Sequence, residues 1–130
     1  MNFRTVVEIT PSPVKITPAD PLFFIGSCFA DNIGSIALRE RFAATVNPMG
    51  VLYNPLSLCR AMEQALEDAP FAEEEIIRIG ETWSALTLHS SFSAPDRQTL
   101  ASNREEAVTK TRQGIENAAF IFITLGTAWV

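Results

Sequence analysis

Two cysteines and one histidine are all that the chain holds of the residues that most often bind metals or form disulfides. So few thiols exclude a disulfide scaffold, and a lone imidazole leaves no metal-ligand spacing to read, so no metal or cofactor is expected. Positive charge is scarce too: ten Lys and Arg, in no cluster, stand against 15 Asp and Glu, for a formal charge of −5. Without a basic patch the chain lacks the electrostatic footprint of nucleic-acid binding. No apolar run reaches the roughly 18 residues of a membrane-spanning helix, so no membrane partner is expected. The N-terminal "MNFRTVVEITPSP" lacks the apolar core and small-residue cleavage site of a signal peptide. A reducing, cytoplasmic setting is the expectation. Gly26 is not followed by the glycines of a dinucleotide or Walker-type phosphate loop.

What is present suits one globular domain over residues 1–130: 47% of residues are hydrophobic, 19% charged, and nine are Phe. Residues 1–21 form a Pro-rich extended arm, with prolines at 11, 13, 18 and 21 excluding a helix. Its "TVVEI" segment is expected to pair at a sheet edge. Next, "LFFIG" is a short continuous apolar run, the pattern of a strand buried on both faces. Phe29, Ile33, Ile36 and Ala37 then recur at helical spacing.

"FAATVN" reads as a second strand, and the prolines and glycine of "PMGVLYNP" as a loop. Pro55 opens a helix whose apolar stripe is Leu56, Cys59, Met62, Ala65 and Leu66, which makes Cys59 a core residue. Residues 76–86 change to a two-residue period around Gly80-Glu81, an inserted antiparallel hairpin. A helix over 96–117 follows, with Leu100, Ala107, Val108, Thr111 and Ile115 inward. "AAFIFITLGTAWV" then supplies a last buried strand. Strands alternating with helices predict an α/β domain with a mainly parallel sheet. A strand so apolar needs neighbours on both edges, so the domain reads as an apparently truncated, N-terminal portion that self-associates through an unpaired sheet edge.

In parallel α/β sheets ligands gather outside the carboxyl ends of the strands. Three loops lie there: Gly26-Ser27-Cys28, Asn47-Pro48-Met49-Gly50 and Gly126-Thr127-Ala128. At the first, a helix N-terminus offers unpaired N–H groups and the positive end of its dipole, an environment that activates a thiol and stabilises an oxyanion. Cys28 is then a candidate thiol nucleophile, or Ser27 a hydroxyl one needing a base. Equally, Ser27 reads as a helix cap and Cys28 as a small filler. His89, in "LTLHSSFS", is a candidate base or a surface histidine.

"FIGSCFADNIG", "NPMGVLYNP" and "TLGTAWV", in that order, resemble the GSCFA family of bacterial proteins, named for the pentapeptide at 26–30. That family looks like a branch of the SGNH, or GDSL-like, hydrolases. The resemblance implies a flavodoxin-like three-layer α/β/α sandwich and a small-molecule acyl-ester substrate. It lays the superfamily's nucleophile column on Cys28 and its aspartate column on Ser27, so that either side chain can attack. It lays the oxyanion-hole glycine on Gly50, with Asn47 beside it, and the third-block glycine on Gly126, followed by Thr127. Ala128 stands where the asparagine donor is expected, and the superfamily's Asp-x-x-His does not occur in this sequence, so an incomplete catalytic set is expected, with His89 as the substitute base. The competing expectation is a non-catalytic α/β module that binds a ligand or partner at the same strand ends.

Overall fold

The computed structural model describes residues 5–67 and 70–126. Its centre is the strand β1, Leu22–Gly26, in which every residue is buried. Parallel neighbours flank it on both sides, β2 (Ala44–Val46) and β5 (Phe120–Thr124), in the order β2-β1-β5. Successive side chains of a strand point to opposite faces, so β1 feeds two cores. Leu22 and Phe24 pack with Ala30, Val46, Phe120 and Phe122 on one face, where the Phe24 and Phe122 rings stack at 4.7 Å. Phe23 and Ile25 pack with Leu58, Met62 and Ile115 on the other. The first face carries the helix α1 (Cys28–Arg39), and the second carries α2 (Pro55–Glu67) and α3 (Arg97–Asn117).

The hairpin falls where the two-residue period places it, as β3 (Ile76–Ile79) and β4 (Thr82–Ala85), a separate antiparallel sheet with Gly80 at positive φ in its turn. The α3 stripe is also as expected, with Arg104 buried as well. Asp96 caps that helix, its carboxylate accepting from the Thr99 N–H at 2.8 Å.

Two helices are rotated from the expected faces. In α1 the buried residues are Ala30 and Gly34, and Ala37 also packs inward, while Phe29, Ile33 and Ile36 are exposed. A Cβ at Gly34 would lie 2.5 Å from Val46 Cγ2, so the missing side chain lets the helix backbone lie close on β2. In α2 the buried set is Leu58, Ala61 and Ala65, which leaves Leu56, Leu66 and Cys59 exposed. Cys59 is therefore not a core residue. Ala30 and Gly34 in α1, and Ala61 and Ala65 in α2, are small inward residues that permit close approach, and a hydrophobicity pattern underweights those.

The last strand also departs from expectation. Phe120 and Phe122 face the α1 core, but Ile121 and Ile123 are 43% and 51% exposed. The helices of that face sit over β1 and β2 and leave β5 open. The arm residues Thr5–Ile9 form no strand and are exposed. Asp20 closes a turn just before β1, accepting from both the N–H and the hydroxyl of Thr17.

Gly114 of α3 is a test of how tightly the helix layer seats. A Cβ there would meet Phe23 Cδ2 at 2.5 Å. Alanine gains ~1 kcal/mol in helix propensity, but overpacking a filled core costs ~1–3 kcal/mol. Gly114→Ala should lower stability by about 1 kcal/mol in urea unfolding; a gain would show that Phe23 has room to move. The α3 cap gives a pH effect. The Thr99 N–H first, and the Thr99 hydroxyl second, hold the Asp96 carboxyl below its ordinary value of 3.8. The folded value lies under the unfolded one, so the cap contributes fully above 3.8 and is lost as pH falls through the lower folded value. A carbon-13 titration of Asp96 should show a midpoint below 3.8, and Asp96→Asn should remove this component of acid sensitivity while keeping the cap.

Candidate functional site

The β1–α1 corner turns on Gly26, at φ +130°, where a Cβ would sit 1.9 Å from the Thr124 carbonyl oxygen. Only glycine lets the ends of β1 and β5 close to this degree. The next residue is then locked across the gap. The Ser27 N–H donates to the Thr124 carbonyl at 2.9 Å and lies 3.1 Å from its Oγ1. The two hydroxyls pair at 2.8 Å, and Ser27 Oγ accepts from the Phe29 N–H at 3.3 Å. Ser27 is 5% exposed. Its hydroxyl is thus committed to capping α1 and bonding β5, whereas Cys28, the first helical residue, is exposed.

Asn47 ties the second loop to the same corner. At φ 39° it is one of the few non-glycine residues in the left-handed region, where Asn is enriched. Its Oδ1 accepts from the Gly26 N–H at 2.8 Å and its Nδ2 donates to Asp31 Oδ1 at 3.4 Å. Its carbonyl accepts from the Gly50 N–H at 2.8 Å. That bond occupies the amide expected to hold an oxyanion. Further along, the Leu52 N–H donates to the Gly26 carbonyl at 2.8 Å, so the loop is stitched to Gly26 twice. Helix N-termini leave their first amides unpaired. In α1 the Ser27 Oγ takes that of Phe29 and the Ser27 carbonyl that of Asp31, leaving Cys28 and Ala30 as the amides with no partner among the described residues.

A residue that the sequence pattern did not single out sits between the corners. The Tyr53 carbonyl accepts from the Gly126 N–H at 3.1 Å, and a Cβ on Gly126 would meet the Tyr53 ring at 2.6 Å. Its phenol lies beside the Cys28 thiol. Charge on that sulfur, and secondly a hydrogen bond to it, push the Tyr53 hydroxyl above its ordinary value of 10.0. The available signal was its place in the same strand-end loop as Gly50, as the chain's one tyrosine.

His89 lies against Gly50, where a Cβ would come within 2.3 Å of the His89 Cβ. Its Nδ1 accepts from the Ser91 N–H at 3.2 Å and lies 2.9 Å from the Ser91 hydroxyl. With Nδ1 accepting, a neutral ring carries its proton on Nε2 and presents a donor. Among the described residues no three His, Cys, Asp or Glu side chains are grouped to hold a metal ion. Thr127 and Ala128 lie outside the described residues.

Strand ends, the Gly-Ser-Cys corner and the Asn-Pro-x-Gly loop thus converge in the order the motifs occupy in the chain. The model of the GSCFA family matches residues 21–130. The chain belongs to the GSCFA family. No curated protein and no solved structure matches it. The matched span begins at Pro21, so every strand and helix among the described residues lies inside it, and in this GSCFA chain the arm precedes it.

The two neighbours at the corner should separate in a stability experiment. Ser27→Ala removes a cap and leaves the Thr124 hydroxyl short of a partner, a loss of about 1–3 kcal/mol. Cys28→Ala, at an exposed position, should change stability by less than about 0.5 kcal/mol. Urea denaturation checks the ranking, and the reverse order would remove Ser27 from its capping role.

Proposed function

We propose that this chain carries the strand-end site of an SGNH-like hydrolase acting on acyl esters, with Cys28 as the nucleophile. The observation that carries this reading is the split at the corner: Cys28 is exposed at the first helical residue, while the Ser27 hydroxyl is buried and bonded. The fold supports it. A parallel β2-β1-β5 order with helices over both faces is how a flavodoxin-like sandwich begins, and ligands bind where such an order reverses, between β1 and its second neighbour. Cys28, Tyr53 and Gly126 meet there.

On this reading Cys28 Sγ attacks the ester carbonyl carbon. The Cys28 amide and the Tyr53 hydroxyl supply donors for the developing oxyanion. Collapse breaks the carbon–oxygen bond, leaves a thioester, and the thiol proton departs with the alcohol. Water then cleaves the thioester and restores the thiol. His89 Nδ1 is taken by the Ser91 N–H, and among the described residues no imidazole or carboxylate is hydrogen-bonded to the Cys28 sulfur. Turnover by these residues alone should stay near the ~10³–10⁴-fold over water that remains when a triad loses a member. A non-catalytic binding module is the second reading, favoured by the Gly50 amide being taken by Asn47.

Assays with a short-chain nitrophenyl ester, on a Cys59→Ser background that removes the other exposed thiol, separate the two. The expected result is acylation of Cys28 by mass spectrometry, abolished by Cys28→Ala and kept by Ser27→Ala. Tyr53→Phe should slow acylation about tenfold by removing one donor. Equal nitrophenol release from the Cys28→Ala protein would remove Cys28 as the nucleophile, and release no faster than in buffer from the unaltered chain would sink the enzyme reading.

A further inference from the structure

The structure leaves two complementary elements of one chain unpaired. One is the outer edge of β2. The Leu22 N–H donates to the Ala43 carbonyl and the Asn47 N–H to the Phe24 carbonyl, which sets β2's inner bonds at 43, 45 and 47. The backbone groups of Ala44 and Val46 therefore point away from β1, with no partner among the described residues. This edge opens into a cleft of about 880 Å³ that runs from Pro21 to Pro48 and Ser91. Such a volume is within the range of ligand-binding clefts, ~300–1,000 Å³. Its far wall is α3, through Asn103, Glu106, Lys110, Gln113 and Asn117, a polar stripe at helical spacing.

The other element is the arm. Thr5–Ile9 has the β-branched composition of a strand, yet Val6, Val7 and Ile9 are 75%, 72% and 83% exposed. The arm enters the domain at Pro21, which itself lines the cleft. Just before it, the Thr17–Asp20 turn, closed by the Asp20 N–H donating to the Thr17 carbonyl at 3.0 Å, reverses the chain. A strand that returned along the sheet from upstream of that turn would run antiparallel to β1 and β2. Residues 10–16, upstream of the turn, span roughly 22 Å at about 3.1 Å per residue, enough to set a short edge strand beside its own sheet.

We propose that Thr5–Ile9 of the same chain closes onto the free edge of β2 as an antiparallel fourth strand. Antiparallel edge strands on parallel sheets are common, and main-chain bonds to an open edge are a general mode of strand capture. The alternation also fits. Thr5, Val7 and Ile9 share one face and join Ala44 and Val46 over the α1 core, which turns Glu8 toward α3, where Lys110 stands. The closed strap covers the cleft up to Ser91, the residue that holds His89.

Amide hydrogen exchange by NMR on the whole 130-residue chain tests this. The expected result is protection of Ala44 and Val46 that drops at least tenfold on removal of residues 1–10, and likewise in a Val6→Pro/Val7→Pro double variant. The amides of Thr45 and Asn47, turned toward β1, should hold their rates and show that the sheet is intact. Equal Ala44 and Val46 rates in all three proteins would overturn the proposal. Protection that fades on dilution would assign the edge to a second copy and overturn it as well.

Discussion

A hydrogen atom in place of a side chain at Gly26 governs the architecture around it. With a Cβ there, the Thr124 carbonyl would have to withdraw, since the two would lie 1.9 Å apart. Its withdrawal would break the Ser27 bonds to β5, and with them the entry of α1. The same glycine gives its N–H to Asn47 and its carbonyl to Leu52, so the second loop hangs from it too. Three segments far apart in sequence are joined at one residue whose side chain is absent. Buried hydrogen bonds of this kind are individually modest, about 1 kcal/mol each, but breaking them leaves buried polar groups without partners.

Elements defined by strong local signals were legible in the sequence. The apolar run of β1, the Gly80 turn of the hairpin and the Asp96 start of α3 each follow from chemistry confined to a few residues. Helix faces were not. Ala30 and Gly34 in α1, like Ala61 in α2, are inward because they are small, and a pattern weighted by hydrophobicity turns toward Phe29, Ile33, Leu56 and Leu66 instead. Likewise the apolar composition of β5 does not say how far the helix layer extends, which is what leaves Ile121 and Ile123 open.

At the site, the corner residues were legible as a group, and their division of labour was not. Serine beside cysteine at a strand end is ambiguous in sequence, and only the partner hydroxyl on Thr124, 97 positions away, reveals Ser27 as the bonded one. Gly50 illustrates the converse: its place in the Asn-Pro-x-Gly loop suggests a free donor, but the tight turn folds its amide back onto Asn47. Tyr53 escaped notice because an aromatic residue between prolines reads as packing, and its nearness to Cys28 depends on how the loop crosses both strand ends.

That nearness makes the lone phenol a natural indicator for the sulfur. Alkylating or acylating Cys28 removes the negative charge that opposes ionisation of the ring, so the Tyr53 titration slides back toward 10.0. Ultraviolet absorption of tyrosinate can then record modification of the thiol as it happens, in the unlabelled protein and with no need to know its natural ligand.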